Sequence, residues 1–241
     1  MKKTKVKIAV IGEYKNDFES HIALNRALNE LSNSIKIEIY YQWIETTVLL
    51  NHVHQKLSSY HGIWSAPGSP FKSLQGAVNA VTYARTNKVP HLGTCAGFQH
   101  TVIAIARDLL GYKEAQHEEY DHAASQLFIN RLVCSLAGKT LKISIKEGTE
   151  AARCYNANKV EENYYCNFGI NPEYSDKFIH PKMVFSGLDL DGEVRIIELK
   201  DHPFFVSTLF VPQMKKLKGA PHPLVKGFIT AALKYSQKER E

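Results

Sequence analysis

Residues Gly93-Thr94-Cys95-Ala96-Gly97 lie between VPHLG, which reads as a short strand, and FQHTVIAIARDLLG, which reads as an amphipathic helix. A strand that becomes a helix within so few residues must turn tightly. A side chain at such a turn projects above the sheet edge, with the first helical N–H groups opening beside it. That setting suits a thiol nucleophile. A helix N-terminus favours thiolate over thiol and offers donors to a developing oxyanion. Cys95 also fits a plainer reading, a small apolar side chain buried in the core.

The flanking elements decide whether such a thiol is presented. KVKIAVIG, SIKIEIYY, HGIWSAPG and VPHLG read as strands, and FESHIALNRALNEL, TTVLLNHVHQKL and SLQGAVNAVTYARTN as helices between them. Repeated strand–helix–strand units predict a parallel, doubly wound α/β sheet, whose ligands sit beyond the carboxyl ends of the strands. Two strand ends then matter: Ala66-Pro67-Gly68-Ser69 and Gly93-Thr94-Cys95. The second half changes character. KTLKISI, MVFSGLDL, EVRIIEL and FFVSTLF read as antiparallel additions with turns such as Asp191-Gly192, and a last helix runs from about Leu224 to Gln237. No repeat or linker interrupts the pattern, so residues 1–241 are expected to form one domain.

Composition narrows the function classes. Hydrophobic residues make up 44% of the 241 and charged residues 22%, enough apolar material for a sizeable core. No apolar run approaches the roughly 20 residues of a membrane span. The apolar stretch Ile8 to Ile11 is too short for a signal peptide and reads as a strand. Cys95, Cys134, Cys154 and Cys166 show no CxxC spacing, so neither a metal site nor a disulfide framework is expected, and a reduced, cytoplasmic protein is the simplest account. The net charge of +6 comes from dispersed lysines, apart from Lys2, Lys3, Lys5 and Lys7 at one end and Lys215, Lys216 and Lys218 near the other. No aromatics interleave with them, which argues against a nucleic-acid partner.

Several stretches carry a resemblance. GIWSAPGSPFKSLQGAVNAVTYARTNKVPHLGTCAGFQHTVIAIARDLLG, then EAQHEEYD, then HPFFVSTLFVPQM with HPLVKGFITAA, resemble the C-terminal glutamine amidotransferase domain of the CTP synthases, a class I glutamine amidotransferase. The resemblance implies a flavodoxin-like α/β fold: a mostly parallel sheet with helices on both faces and antiparallel additions. It also implies a Cys-His-Glu triad that hydrolyses glutamine and passes ammonia to a synthetase domain, with no cofactor. The family's elbow, G-x-C-x-G-x-Q, matches Gly93, Cys95, Gly97 and Gln99. Its P-G-G oxyanion turn matches Pro67-Gly68-Ser69, although Pro70 removes one N–H. Glu119, in His117-Glu118-Glu119-Tyr120, matches the acid that holds the glutamine amino group.

Other positions depart from the family. Its F-H-P-E segment, which supplies the base and the acid orienting it, reads Phe210-Val211-Pro212-Gln213 here. Valine cannot accept a proton and neutral glutamine cannot stabilise an imidazolium, so ordinary glutaminase activity is not expected. The arginine that binds the substrate carboxylate is matched by Asn167. The chain starts almost at the first strand and has no G-x-x-x-x-G-K-[ST] loop, so by itself it is not expected to amidate UTP.

Three functional expectations follow. In the first, Cys95 acts as hydrolase or lyase nucleophile on another small amide, nitrile or amine. Backbone N–H groups at Ser69 and Ala96 would hold the oxyanion, Gly68, Gln99, Glu119 and Asn167 would bind ligand, and His117, His100 or Glu162 would serve as acid or base, with Tyr165 also available. His100 lies about 140° round the helix from Cys95, and Glu161-Glu162 reads more readily as a solvated pair. In the second, the chain is a non-catalytic ligand-binding or regulatory protein. In the third, it is a glutaminase subunit that needs a separate synthetase. The partners expected are a small-molecule ligand, and a second copy of the chain or that synthetase. Cys166 fits a second thiol near the pocket but reads more readily as a buried bystander, Cys134 and Cys154 are expected to be structural, and His202 a turn or packing residue.

Overall fold

The computed structural model describes residues 5–215 and 220–238; Lys2, Lys3, Lys216 and Lys218 lie outside them. The first half runs β1 (Lys5–Ile11), α1 (Glu19–Ser34), β2 (Glu38–Ile44), a 3-10 turn (Thr46–Leu49), α2 (Val53–Leu57), β3 (Gly62–Ser65), α3 (Leu74–Thr86), β4 (His91–Thr94) and α4 (Ala96–Asp108). The second half adds β5 (Gln116–His117), β6 (Leu127–Arg131), β7 (Thr140–Ile145), α5 (Glu150–Tyr155), β8 (Lys159–Asn163), β9 (Phe168–Ile170), α6 (Pro172–Ser175), β10 (Met183–Asp189), β11 (Val194–Leu199) and β12 (Phe205–Thr208). A 3-10 turn (Pro212–Met214) and α7 (Pro223–Lys238) complete it.

Nine strands form one sheet in the order β2-β1-β3-β4-β12-β11-β10-β7-β8. The pairs from β2 through β12 are parallel and those from β12 through β8 antiparallel. The expected α/β architecture is therefore present, with one refinement. FFVSTLF is no outlying addition, because β12 pairs parallel with β4 and antiparallel with β11, joining the two halves. TTVLLNHVHQKL also differs from its expected continuous helix: it forms the 3-10 turn and the short α2, parted at residues 50–52.

Strand alternation sends successive side chains to opposite faces. Trp64 meets Phe228 of α7 edge-on at 5.9 Å between ring centroids, whereas Ser65 faces Gly97 of α4. α7 thus covers one face of β3, and α4, packed with α3, covers the other. β3 and β4 are buried along their whole length. A second sheet, β5-β6-β9, packs on the outside of α4. The sequence pattern did not reveal it: its strands are two, five and three residues long, too short to show a period.

Candidate active site at the β4–α4 elbow

Cys95 occupies φ 52°, ψ −104°, a conformation that side-chain-bearing residues avoid. Its neighbours on both sides hold it there. Gly93 is opposite Ser65 on β3 and Ser207 on β12, and a Cβ added to it would stand 2.5 Å from the Ser207 hydroxyl. A Cβ on Gly97 would stand 2.1 Å from the Ser65 carbonyl oxygen, so only glycine lets the helix start this close to the sheet. The Cys95 N–H donates to the Thr208 carbonyl (2.9 Å), and the Cys95 carbonyl accepts from Phe98 (3.0 Å) and Gln99 (3.2 Å). Helical bonding therefore begins at Phe98, and the Ala96 and Gly97 N–H groups belong to the open end of the helix. Cys95 is 8% exposed.

The expected oxyanion turn lies beside this elbow through the β3–β4 register, Ser65 opposite Gly93. Gly68 takes φ 106°, and Ser69 is half-buried ahead of Pro70. The turn is fixed by His21 of α1, which the sequence reading missed. His21 accepts the Lys15 N–H at Nδ1 (3.1 Å), so Nε2 carries the proton and donates to the Pro67 carbonyl (2.9 Å). Burial lowers the His21 pKa. Nothing in the spacing of His21 signalled this contact, because it spans 46 residues of sequence.

The two imidazoles offered as bases are used by the fold. His117 accepts the Glu119 N–H at Nδ1 (3.1 Å) and therefore donates from Nε2 to Gln99 Oε1 (3.0 Å). Gln99 in turn donates to the Phe168 carbonyl (3.0 Å), so the chain His117–Gln99–Phe168 ties α4 to the small sheet. The His100 Nε2 faces the Tyr120 hydroxyl at 3.0 Å, and that hydroxyl accepts the Phe71 N–H (2.7 Å), leaving its proton for His100. Burial pushes both histidines down to about 3, with His117 adding to the shift of His100, so both stay neutral near pH 7. Glu119 is half-buried beside them, and its Oε2 is buried without a hydrogen-bond partner.

The end of β12 differs. Thr208 is level with Thr94, which brings the following residues alongside the elbow. Val211 is 1% exposed and donates its N–H to the Asn163 carbonyl (3.1 Å). Gln213 is buried, both polar atoms of its amide lack partners, and it lines a cavity of about 350 Å³ with Arg26, Lys215 and His222. Cys95 is not among the lining residues.

The remaining candidates take other places. Glu162 is no solvated residue: it is fully buried, and its Oε1 accepts from Tyr155 (2.9 Å), His222 (3.0 Å) and Lys215 (3.3 Å). His222 precedes Pro223 at the start of α7, a signal that sequence reading passed over. Asn167 is exposed, with Oδ1 accepting from Ser135 (2.6 Å), and Tyr165 and Glu161 are exposed as well. Cys134 is exposed, and burial pushes the Cys154 thiol up to about 12. His202 donates to the Ala84 carbonyl (3.1 Å) and packs a turn. Cys166 is more than a bystander. Buried at 2% exposure, it donates to the Leu209 carbonyl (2.9 Å), and burial, with Cys95 nearby, raises its pKa.

Comparison with known proteins fits this geometry. The model of the family "Glutamine amidotransferase class-I" matches residues 17–231. A CTP synthase from Sulfurisphaera tokodaii is 35% identical over 238 residues, covering 94% of this chain and 45% of its own length. One from Oleidesulfovibrio alaskensis is 32% identical over 258 residues, covering 98% and 47%. The chain thus spans about half the length of these relatives. Among solved structures, the Trypanosoma brucei CTPS glutaminase domain with bound acivicin superposes with a TM-score of 0.87 at 20% identity, over 95% of this chain and 94% of that one. A Thermotoga maritima glutamine amidotransferase gives 0.55 at 10% identity, over 98% and 97%. The chain belongs to the class I glutamine amidotransferases, related to the glutaminase domain of CTP synthase.

Proposed function

We propose that this chain keeps the amidotransferase fold but binds a ligand without hydrolysing glutamine. The observation that carries this reading is Val211, a buried, non-titratable side chain three residues past the end of β12, the strand paired with β4. Thiol attack on an amide needs a group that takes the thiol proton and returns one to the leaving amine. Val211 and Gln213 stand where the family resemblance expects the histidine and glutamate that do so. His100 and His117 do not replace them, since both are neutral and hydrogen-bonded within the fold. Asn167, at the position of the carboxylate-binding arginine, is exposed, carries no charge and bonds Ser135.

The test is ammonia release from L-glutamine by the wild-type chain and by Cys95→Ala. Equal, background-level release is expected; release that disappears with Cys95 overturns the reading. The relatives named CTP synthase raise a further possibility, a glutaminase subunit of a system that aminates UTP, which predicts turnover once a separate synthetase is added.

A specific observation favours a second reading, in which Cys95 attacks another small amide, nitrile or amine: its strained backbone persists. Such a residue costs about 1–3 kcal/mol and is held only where the surroundings over-determine it. Alkylation of Cys95 across pH separates the readings. A titration midpoint well below that of an ordinary thiol supports the nucleophile, and an ordinary profile supports the binder.

A further inference from the structure

The family's chemistry has no use for a second thiol beside the elbow, yet this chain holds one there. Cys166 lies 71 residues from Cys95 in sequence, and three contacts bring them together. The Cys95 N–H is bonded to the Thr208 carbonyl and the Cys166 thiol to the next carbonyl, that of Leu209, so both cysteines are moored to consecutive residues after β12. Gln99, one turn into α4 from Cys95, donates to the carbonyl of Phe168, two residues past Cys166. Cys95 is also near enough to the Cys166 thiol to add, after burial, to the rise in its pKa. Neither is in a disulfide, and they differ in access: Cys95 is 8% exposed and Cys166 2%.

We infer that Cys95 and Cys166 are a redox pair: a hydroperoxide oxidises Cys95, and Cys166 closes the disulfide. In the first step the Cys95 sulfur attacks the peroxide; the O–O bond breaks, giving a sulfenic acid and an alcohol, or water when the oxidant is hydrogen peroxide. In the second, the Cys166 sulfur attacks the Cys95 sulfur, the S–OH bond breaks, and the hydroxyl leaves with the Cys166 proton as water. The peroxide takes up the two electrons that the two thiols lose. The order follows from access, because the oxidant meets the more exposed sulfur first.

Burial, with Cys95 beside it, holds the Cys166 thiol well above its usual range, so Cys166 is a poor first target. Its mooring at Leu209, next to the Thr208 carbonyl that holds Cys95, fits it as the resolving partner. Closing the bond, about 2.05 Å long, ties the start of α4 to the segment before β9 and removes the nucleophile. A thiol with a resolving neighbour is also spared the irreversible step to sulfinic acid. None of this depends on whether Cys95 hydrolyses anything, so a glutaminase result leaves the inference standing, and the reverse holds as well.

The experiment uses the full chain carrying Cys134→Ser, which removes the exposed thiol as a source of intermolecular bonds. Hydrogen peroxide is the probe. Remaining thiols are blocked with an alkylating reagent, and the products are read by peptide mass spectrometry. The expected product is a Cys95–Cys166 cross-linked peptide that dithiothreitol reverses, with Cys154 still alkylatable on unfolding. In Cys166→Ala, Cys95 is expected to reach sulfinic acid at least tenfold faster than in the parent. Should Cys166→Ala fold poorly, Cys166→Ser provides the same readout with a smaller change in shape. Equal sulfinic acid formation with and without Cys166, or oxidation that leaves both cysteines unlinked, overturns the inference.

Discussion

The β4–α4 elbow and the end of β12 are neighbours in one sheet, level at Thr94 and Thr208, yet they carry different information. At the elbow the backbone is specified: two glycines with no room for a Cβ, a cysteine at positive φ, and a first helical turn packed on Ser65. At the β12 end the backbone does something ordinary, and its side chains, Val211 and Gln213, carry no ionisable group. The difference teaches that a tight strand-to-helix turn is specified by its backbone, whereas the chemistry available beside it depends on single side chains. Geometry is held by many contacts, and the base by one residue.

The largest expected effect concerns acid. His91 at the start of β4, His100 on α4 and His117 on β5 are buried, and burial pushes each down to about 3 from 6.5. Their folded pKa lies below the unfolded value, so their contribution is complete above pH 6.5 and is lost as pH falls from 6.5 toward 3. Each site loses about 1.4 kcal/mol per pH unit in that window. From pH 7.5 to 5.5 the three together remove on the order of 4 kcal/mol, read as a fall in the urea midpoint. A pH-independent midpoint would mean that the elbow is not packed as described.

Next is Gly97→Ala, whose Cβ meets a backbone oxygen that no rotamer change can move. A loss of about 3 kcal/mol in unfolding free energy is expected. Val211→Ala at the neighbouring strand end leaves a cavity, costs about 2 kcal/mol and creates no clash. If Gly97→Ala proves the milder of the two, the contrast between a rigid elbow and an ordinary strand end collapses. The smallest expected effect is that of Cys95→Gly. Relief of the positive φ, set against the greater freedom of glycine in the unfolded chain, leaves a gain of about 1 kcal/mol. Thermal unfolding checks the sign, and a loss of stability would show that the elbow is unstrained.

Much of the large sheet was legible because outer elements such as β2 and β7 alternate between exposed and less exposed positions, while the fully buried β3, β4 and β12 are short runs bounded by turns. The Cys95 turn was legible because the glycines at 93 and 97 mark a place where backbone must approach backbone. What escaped shares a physical cause, long-range pairing by side chains that carry no local signal. His21 reaching Pro67, Tyr120 bridging Phe71 and His100, and Glu162 collecting Tyr155, Lys215 and His222 each join distant segments through one or two hydrogen bonds. His117 illustrates the limit best. Its type and position suggested acid–base work, and only the tautomer imposed by Glu119 and Gln99 reveals a structural post.

One measurement bears most directly on the claim that side chains, and not the scaffold, separate this chain from a glutaminase. Val211→His combined with Gln213→Glu places an imidazole and a carboxylate in the segment that follows β12, with the elbow unaltered. The account predicts that ammonia release from glutamine rises at least tenfold above the wild-type background and falls back when Cys95→Ala is added. Wild-type release that already depends on Cys95, and that the double substitution does not increase, would contradict it.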